Sequence, residues 1–492
     1  MATARVVLTL PPSLCTPRAH TLAPAPAPAQ PLRSCGAVGN VQNQHHYTNS
    51  TEQTVKAVLS AGMDTDCGGF MSAKVMQPLM DKKQIDMALV DSALTNLFTT
   101  QMRLGFFDPV EANPYGALGA EVVNTPAHQQ LALEAAHQSI VLLKNEGGVL
   151  PLSAGAVKSV ALSGRNAAAT ANMQGNYYGT APFLVSPIEG VGAYVANATT
   201  ADCTDECNTC SASAIAAAAA NAAKADAAVV VVGLTSEAVH CSDESEGHDR
   251  ASLLLPDGQA DVAAAVAAAA AKAGKPAILV VMGGGPVDVS QFKHDANVGA
   301  ILWCGYPGQS GGTAIADVLF GKVNPSGRLT QTWYPESFAK AVSILDMGMR
   351  PNATSGNPGR SYRFYTGGDE VYKFGDGLSY TTFDSALAVG AGAATATVAV
   401  TNRGAMDGDE TVLLFAAPPA GIAGVDGAPL QQLVAFKKVH VKAGHTANVE
   451  LDIPAAKLAF GGRRGDLLSP KGEWQFWVGP RSDATKTVGV TL

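Results

Sequence analysis

The central half of the chain carries short, uninterrupted apolar runs. Alanine-rich stretches of helical character separate some of them, and they read "VKSVALSG", "AAVVVVGL", "AILVVMGGG" and "GAILWCGYPG". A strand needs a continuous apolar run when both of its faces are covered, as in a parallel sheet flanked by helices. The pattern therefore predicts, from about residue 126 to 335, a largely parallel sheet with helices on both faces.

The apolar period falls to two near residue 385. Alternating segments then follow one another to the end, among them "TATVAVTN", "ETVLLFAA", "LVAFKKVHVKAG", "HTANVELDIP" and "EWQFWVGP". Antiparallel strands with one buried face alternate in this way. The segment 385–492 is therefore predicted to be a small immunoglobulin-like or fibronectin-like sandwich.

The segment 34–115 is mixed. Helical patterns cover "EQTVKAVLSAGMD" and "ALVDSALTNLFTTQMRLG", and the Pro- and Gly-containing "FFDPVEANPYG" is a good linker. The first 33 residues have no acidic residue and carry an Ala-Pro repeat. They fit a poor secretory signal, a transit-like leader or a disordered leader outside the fold, and we favour the last two. The α/β domain is then expected over 116–384.

Charge and length exclude two classes of partner. The formal net charge is -8 and no long basic run occurs, so nucleic acid is not expected as a partner. No apolar stretch reaches the roughly 18 residues that a transmembrane helix requires, so no membrane span is expected.

Eight cysteines are present, and "CTDECNTC" places three of them close together. A zinc site would need a fourth ligand, so a loop disulfide is the better interpretation and implies an oxidising compartment. Three glycosylation triplets, at Asn49, Asn197 and Asn352, are compatible with secretion. We expect the protein to be extracellular or in the secretory pathway.

The most chemically suggestive stretch is "DESEGHDR", from Asp243 to Arg250. It lies a short way past a predicted buried strand, where the loops of such a sheet meet their ligands. Residue types alone leave two interpretations open: a solvated acidic loop, or a sugar-facing general acid centred on Glu246 that would need a second carboxylate. The chain has no G-x-x-x-x-G-K-[ST], no spaced G-x-G-x-x-G and no G-x-S-x-G, and no cofactor or metal is predicted.

A set of ordered segments resembles the β-xylosidases and α-L-arabinofuranosidases of glycoside hydrolase family 3. The resemblance covers about residues 34 to 492 and rests on "HQSIVLLKNEGGVLPL", "GNYYGTAPFLVSP", "EGHDR", "WCGYPGQSGGTAIADVLFGKVNPSGRL", "NPGRSYRFY" and "YKFGDGLSYTTF". It implies a TIM barrel, of which 34–115 would be the C-terminal part, then an α/β sandwich and a fibronectin type III-like domain.

The resemblance also implies an activity: exo-acting, retaining hydrolysis of xylo- or arabino-oligosaccharides. In the family pattern the general acid/base is the Glu before Gly-x-Asp-Arg, which is Glu246 here, with Glu244 as the weaker alternative. The pattern places Arg250 and, in "GMDTDCGG", Asp64 and Asp66 among the candidates for substrate binding. The last two could instead be turn residues.

One position departs from the family pattern. The family's nucleophile is the Asp of Ser-Asp-Cys-Gly-Ala-Val, whereas this chain reads "RSCGAV" and has Ser34 in that slot. A serine hydroxyl is neutral at pH 7, so the chain as written is expected to be inactive or nearly so. The resemblance further suggests a disulfide between Cys35 and Cys67, in the two loops that flank the family's sugar pocket.

Three hypotheses follow. The first is a family 3 xylosidase-type hydrolase. The second is a non-catalytic carbohydrate-binding or interaction remnant. The third is a misjoined gene model, favoured by the abrupt change from "APAPAPAQPLR" to "SCGAV".

Overall fold

The computed structural model describes residues 36–201, 210–236, 243–245, 249–425, 427–462, 466–480 and 486–492, and the backbone of residues 33–34. The chain forms two compact units, the first ending at Val123 and the second beginning at Asn124. The sequence-based prediction placed this boundary between residues 115 and 116.

The described part of the first unit combines helices with a pair of short parallel strands. A small core of Val55, Leu59 and Ile85 holds the helices together. The two helices predicted from the sequence are confirmed as α2 and α4. The elements are β1 (Arg33–Ser34), α1 (Ala37–Asn43), α2 (Thr51–Ser60), β2 (Thr65–Asp66), α3 (Ala73–Asp81) and α4 (Met87–Arg103).

The second unit begins with an α/β domain. Its described sheet has the strand order β3-β8-β7-β6-β4-β5, with β3 antiparallel to β8 and the other neighbours parallel. The elements are α5 (Pro126–Ser139), β3 (Val141–Asn145), β4 (Ser159–Ser163), α6 (Pro187–Gly192), β5 (Asn197–Thr200), α7 (Ala212–Lys224), β6 (Ala227–Gly233), α8 (Gln259–Lys272), β7 (Ala277–Met282), α9 (Ser290–Lys293), β8 (Ala300–Gly305), α10 (Gly311–Leu319), α11 (Glu336–Ala341) and α12 (Ser361–Phe364).

The sheet separates two apolar cores, which explains the continuous apolar runs. Along β6, Val230 and Val232 belong to the core with α7 and α8, whereas Val229 and Val231 belong to the core with α5, α6 and α10. Successive side chains of a strand point to opposite faces, so each face needs its own apolar residues. The predicted largely parallel sheet with helices on both faces is confirmed.

One edge of the sheet joins the beginning of the domain to its end. The backbone N–H of Leu378 donates a 2.7 Å hydrogen bond to the carbonyl of Leu142 in β3. The edge strand therefore contacts chain from both ends of the α/β domain.

A β-sandwich completes the second unit. Its two main sheets have the orders β13-β10-β9 and β12-β11-β16-β17, and Val398, Leu414, Trp474 and Phe476 are buried between them. This confirms the predicted fibronectin type III-like class. The strands are β9 (Phe383–Val389), β10 (Thr395–Asn402), β11 (Gly408–Ala417), β12 (Gln432–Val441), β13 (Thr446–Asp452), β14 (Phe460–Gly461), β15 (Leu467–Leu468), β16 (Glu473–Val478) and β17 (Val488–Thr491).

The sandwich is fixed to the α/β domain by aromatic and polar contacts. The ring of Tyr362 stacks on Phe374 and meets Phe415 of β11 edge-on. The guanidinium of Arg363 donates a 3.2 Å hydrogen bond to the side chain of Gln432 in β12. These contacts hold the two domains together within the second unit.

None of the described helices has both the length and the apolar character that crossing a bilayer would require.

Candidate active site

The candidate site lies where the central strands of the sheet end. Thr235 follows β6, Arg165 follows β4, and Tyr306 follows β8. The carboxyl ends of parallel strands meet at one edge of a sheet, and ligands of such domains bind there. The loop that carries Asp243 and Glu244 begins at this edge.

Asp243 anchors the loop to the strand ends. Its Oδ2 accepts hydrogen bonds from the backbone N–H of Thr235, at 2.8 Å, and from the hydroxyl of the same residue, at 2.9 Å. The buried guanidinium of Arg165 lies 3.2 Å from Oδ1 of Asp243 and 3.0 Å from Asp257. Charge-assisted bonds of this kind hold a loop firmly, so we assign Asp243 a structural role.

Glu244 is held between two partners from different parts of the chain. The Tyr306 hydroxyl donates a 3.0 Å hydrogen bond to its Oε1, and Nε of Arg250 lies 3.3 Å from its Oε2. Arg250 also donates to the carbonyl of Pro286, at 3.0 Å, in the loop after β7. The three side chains thus join the ends of β6, β7 and β8. We call Glu244, Arg250 and Tyr306 the carboxylate cluster.

The surroundings of Tyr306 favour its neutral form. Burial raises the pKa of the phenol, and the nearby negative charge of Glu244 raises that pKa further. Tyr306 therefore stays protonated at neutral pH and acts as a hydrogen-bond donor to the carboxylate.

Residues 246–248 lie outside the described residues, so Glu246 remains a prediction as the general acid/base. Glu244, before these residues, and Arg250, after them, form an ion pair with 3.3 Å between Oε2 and Nε. Glu244, the weaker alternative, is engaged by Tyr306 and Arg250. Of the predicted substrate-binding residues, the structure places Arg250 in this cluster.

The other two predicted substrate-binding residues, Asp64 and Asp66, lie in the first unit. Asp64 accepts a 3.0 Å hydrogen bond from the side-chain amide of Asn96. Asp66 accepts hydrogen bonds from the backbone N–H groups of Gly68, at 2.9 Å, and Met71, at 2.8 Å. These bonds favour the turn role for Asp66, which the sequence left open.

Two further positions of the first unit bear on the predictions. Ser34 lies in β1, which pairs in parallel with β2 through Ser34 and Asp66. Cys67 is disulfide-bonded, and its partner lies outside the described residues, as does Cys35. The pairing of Cys35 with Cys67 therefore stays a prediction.

Sequence reasoning did not single out Tyr306 or Arg165. Tyr306 stands in the landmark "WCGYPG" and Arg165 directly follows "VALSG", so both come just after predicted strands. Their position just after a predicted strand could have identified them as site residues, since the carboxyl ends of neighbouring parallel strands share one edge of the sheet. Within the described ranges, no group of three or more His, Cys, Asp or Glu side chains could hold a metal ion.

Comparison with known families matches both domains of the second unit. Residues 140–380 match the glycosyl hydrolase family 3 C-terminal domain, and residues 410–482 match a fibronectin type III-like domain. These two matches place the second unit in the class of glycosyl hydrolases.

Similar proteins narrow the class. The chain is 41% identical to Beta-D-xylosidase 1 of Arabidopsis thaliana, over 91% of this chain and 61% of the relative. It is 40% identical to Beta-xylosidase/alpha-L-arabinofuranosidase 2 of Medicago sativa subsp. varia, over 87% of this chain and 57% of the relative. The chain belongs to glycosyl hydrolase family 3.

A solved structure agrees with this assignment. The exo-beta-xylosidase XlnD of family 3, in complex with a xylobiose aziridine probe, superposes with a TM-score of 0.79 at 32% identity, over 93% of this chain and 60% of that one. The chain thus spans about three fifths of the length of the curated relatives it matches.

Proposed function

We propose that the chain carries the acid/base part of a retaining, exo-acting glycosidase for xylo- or arabino-oligosaccharides, in an extracellular or secretory compartment. The observation that carries the proposal is the carboxylate cluster at the carboxyl ends of β6, β7 and β8. It ties the loop of Glu246 to the sheet edge where α/β domains bind ligands. The names of the similar proteins supply the sugar class.

In this mechanism the carboxyl group of Glu246 protonates the glycosidic oxygen as the bond to the anomeric carbon breaks. A carboxylate nucleophile attacks the anomeric carbon, and water later releases the sugar with Glu246 as the base. The cluster would keep the loop in place: Arg250 and Tyr306 both hold Glu244, two residues before Glu246. Arg250 and Asp64 remain proposed substrate-binding residues, whereas the hydrogen bonds of Asp66 favour its alternative role as a turn residue.

The residue at position 34 determines how much hydrolysis the chain can perform. Serine has no charge at pH 7 with which to attack or to stabilise an oxocarbenium-like centre. In enzymes that act through a covalent intermediate, loss of the nucleophile removes a large part of the transition-state stabilisation. Hydrolysis by the chain as written should therefore remain near background.

The test is release of p-nitrophenol from p-nitrophenyl β-D-xyloside by the full chain and three variants, Ser34→Asp, Ser34→Ala and Ser34→Asp/Glu246→Gln. The proposal expects Ser34→Asp to exceed the wild type by at least about tenfold. Ser34→Ala should match the wild type, and the double variant should fall back to its level. Equal rates in all four proteins would refute it.

The presence of Ser34 also supports a second candidate, a non-catalytic carbohydrate-binding module. That function predicts saturable binding of xylobiose by isothermal titration calorimetry without hydrolysis, and no gain of hydrolysis in Ser34→Asp.

A further inference from the structure

The two edges of the sheet in the α/β domain are finished differently. At one edge, β3 receives a backbone hydrogen bond, because the N–H of Leu378 donates to the carbonyl of Leu142. At the other edge, the last strand of the described sheet is β5, which pairs in parallel with β4. An edge strand presents unpaired backbone N–H and C=O groups, with which another chain can pair. The β5 edge is therefore the one at which this domain needs protection.

The sequence of β5 carries few of the usual protections. Proteins guard an edge with a very short strand, a charged side chain, a proline or a bulge, or by covering it. β5 is short, but it reads "NATT", without charge or proline, and its register with β4 is continuous from Asn197 to Thr200. The side-chain amide of Asn221 in α7 donates a 3.2 Å hydrogen bond to the carbonyl of Thr200. Thr199 and Thr200 are both exposed, and threonine favours strands.

The same strand contains an acceptor triplet for N-linked glycosylation, Asn197-Ala198-Thr199. Successive side chains of a strand point to opposite faces, so Asn197 and Thr199 share one face. Both are exposed, whereas Ala198 is half-buried and packs against the core with α5, α6 and α10. The amide and the hydroxyl of the triplet thus lie on the solvent side, where the folded domain has room for a glycan.

We propose that Asn197 carries an N-linked oligosaccharide that covers the β5 edge in a chain that has entered the secretory pathway. The inference rests on the compartment proposed above and not on hydrolysis. The donor is a lipid-linked oligosaccharide pyrophosphate. A bond forms between Nδ2 of Asn197 and the anomeric carbon, and the bond from that carbon to the phosphate oxygen breaks. The amide loses a proton and the lipid pyrophosphate leaves. A bulky, hydrated group on the edge strand keeps a second chain from pairing with it.

The other two triplets serve as comparisons. Asn352 is exposed in a turn, where its Oδ1 accepts a 3.0 Å hydrogen bond from the backbone N–H of Thr354. Asn49 is exposed just before α2, whose first turn is capped by the side chain of Ser50. Neither asparagine lies in a strand of the described α/β sheet, so a glycan at either position would leave the β5 edge open.

The test secretes the full chain from yeast cells behind a cleavable signal sequence, so that entry into the pathway is not a variable. Peptide N-glycosidase F converts each occupied asparagine to aspartate, and peptide mass spectrometry locates it. Sedimentation velocity over a micromolar concentration series then measures self-association of the wild type and three variants. Thr199→Ala removes the triplet, Thr199→Lys removes it and adds a charge to the edge, and Asn352→Gln removes a triplet outside the sheet.

We expect Asn197 to be occupied in the wild type and in Asn352→Gln, and both proteins to sediment as one species. Thr199→Ala should lose the glycan and self-associate at least about tenfold more tightly than the wild type. Thr199→Lys should also lose it and yet sediment as one species, because a lysine on an edge strand opposes pairing. Position 199 is exposed, so all variants should melt at the wild-type temperature.

Three results would overturn the inference. An unmodified Asn197 in the secreted wild type would remove the site. A Thr199→Ala variant that does not associate would show that the glycan does not guard the edge. Equal association of Thr199→Ala and Thr199→Lys would show that the contact is not edge pairing. The full chain with its own N-terminus, expressed in the same cells, tests the compartment separately: an unmodified chain there would contradict the compartment, while the secreted chain still decides the site.

Discussion

The hydroxyl of Tyr306 donates a 3.0 Å hydrogen bond to Oε1 of Glu244 and so joins the end of β8 to the loop that follows β6. These residues are far apart in sequence, and the strand order brings them together. The bond makes the position of the candidate catalytic loop depend on the packing of the sheet.

Replacing Tyr306 with phenylalanine should therefore destabilise the second unit. The carboxylate of Glu244 would keep Arg250 but lose its neutral donor, at a cost of about 1–3 kcal/mol in the free energy of unfolding. Urea unfolding at pH 7 measures it, with Tyr47→Phe, at a position 76% exposed, as the control. Equal losses in both variants would contradict the role of the bond.

The raised pKa of Tyr306 also predicts how stability depends on alkaline pH. Below pH of about 10, folded and unfolded chains both keep the phenol proton, so Tyr306 adds no slope. Above that pH the unfolded chain releases its proton first, because burial and the charge of Glu244 raise the pKa in the folded state. Stability should then fall with rising pH, by up to about 1.4 kcal/mol per unit from this residue.

The variant Tyr306→Phe should show a shallower decline than the wild type between pH 9 and 11, by urea unfolding at half-unit steps. Identical slopes would show that the phenol titrates alike in both states.

Asp317 lies in α10, one of the helices that cover the α5, α6 and α10 face of the sheet. Its carboxylate lies 2.8 Å from Nε2 of His137 and 3.1 Å from Nζ of Lys322, and it accepts a 2.6 Å hydrogen bond from Tyr194. Asp317 is 1% exposed, and an amide cannot accept the hydrogen bonds that reach both carboxylate oxygens, so Asp317→Asn should cost about 1–3 kcal/mol. Asp384→Asn, which breaks an exposed pair with Arg403, should cost about 0–1 kcal/mol in the same assay.

Gly68 permits a close backbone approach in the first unit. A Cβ at this position would overlap the backbone of Gly36. The variant Gly68→Ala should therefore separate the chain around β1 and β2 and increase cleavage of the first unit by trypsin. In contrast, Gly39 lies inside α1 with ordinary contact distances of 3.5 Å and 3.7 Å around its Cβ position, so Gly39→Ala should be neutral or stabilising. A similar digestion pattern for both variants would argue against the steric explanation.

The pairing of β1 with β2 predicts the partner of Cys67. The parallel pairs are Arg33 with Thr65 and Ser34 with Asp66, and in the sequence Cys35 directly follows Ser34 as Cys67 directly follows Asp66. Neighbouring parallel strands are about 4.8 Å apart, a separation that a disulfide can span. Non-reducing peptide mapping by mass spectrometry should find these two cysteines in one linked peptide. A Cys67 peptide linked to any other cysteine would disprove the pairing.

The apolar pattern predicted most of the sheet because burial on two faces is visible in a single strand. The β6 segment "AAVVVVG" is buried throughout, and its sequence permits no amphipathic alternative. Pattern was less informative for β3, because "HQQLALEAAHQSIVLLKN" looks like one amphipathic helix with an apolar end, whereas the structure ends α5 at Ser139 and forms an antiparallel strand. Buried Lys144 in that strand is satisfied by the carbonyls of Phe292 and Asp295, which are remote in sequence.

The candidate site was only partly predictable because some of its residues are neighbours in sequence and others are brought together by the fold. Asp243, Glu244 and Arg250 lie in one short segment, so their chemistry was visible locally. Tyr306 and Arg165 join them only through the strand order β8-β7-β6-β4, which no local pattern specifies. Helix α3 was also missed, since Pro78 within it disfavours a helix on propensity alone.

The backbone hydrogen bond between Leu378 and Leu142 bears on how the α/β domain could have evolved. It leaves the α/β domain with its entry and exit side by side on one edge, near the limits of the 140–380 family match. A module whose two ends are adjacent can be spliced between other segments with little loop-closure cost. Recombination could therefore move this domain between proteins as one unit, with its sheet intact.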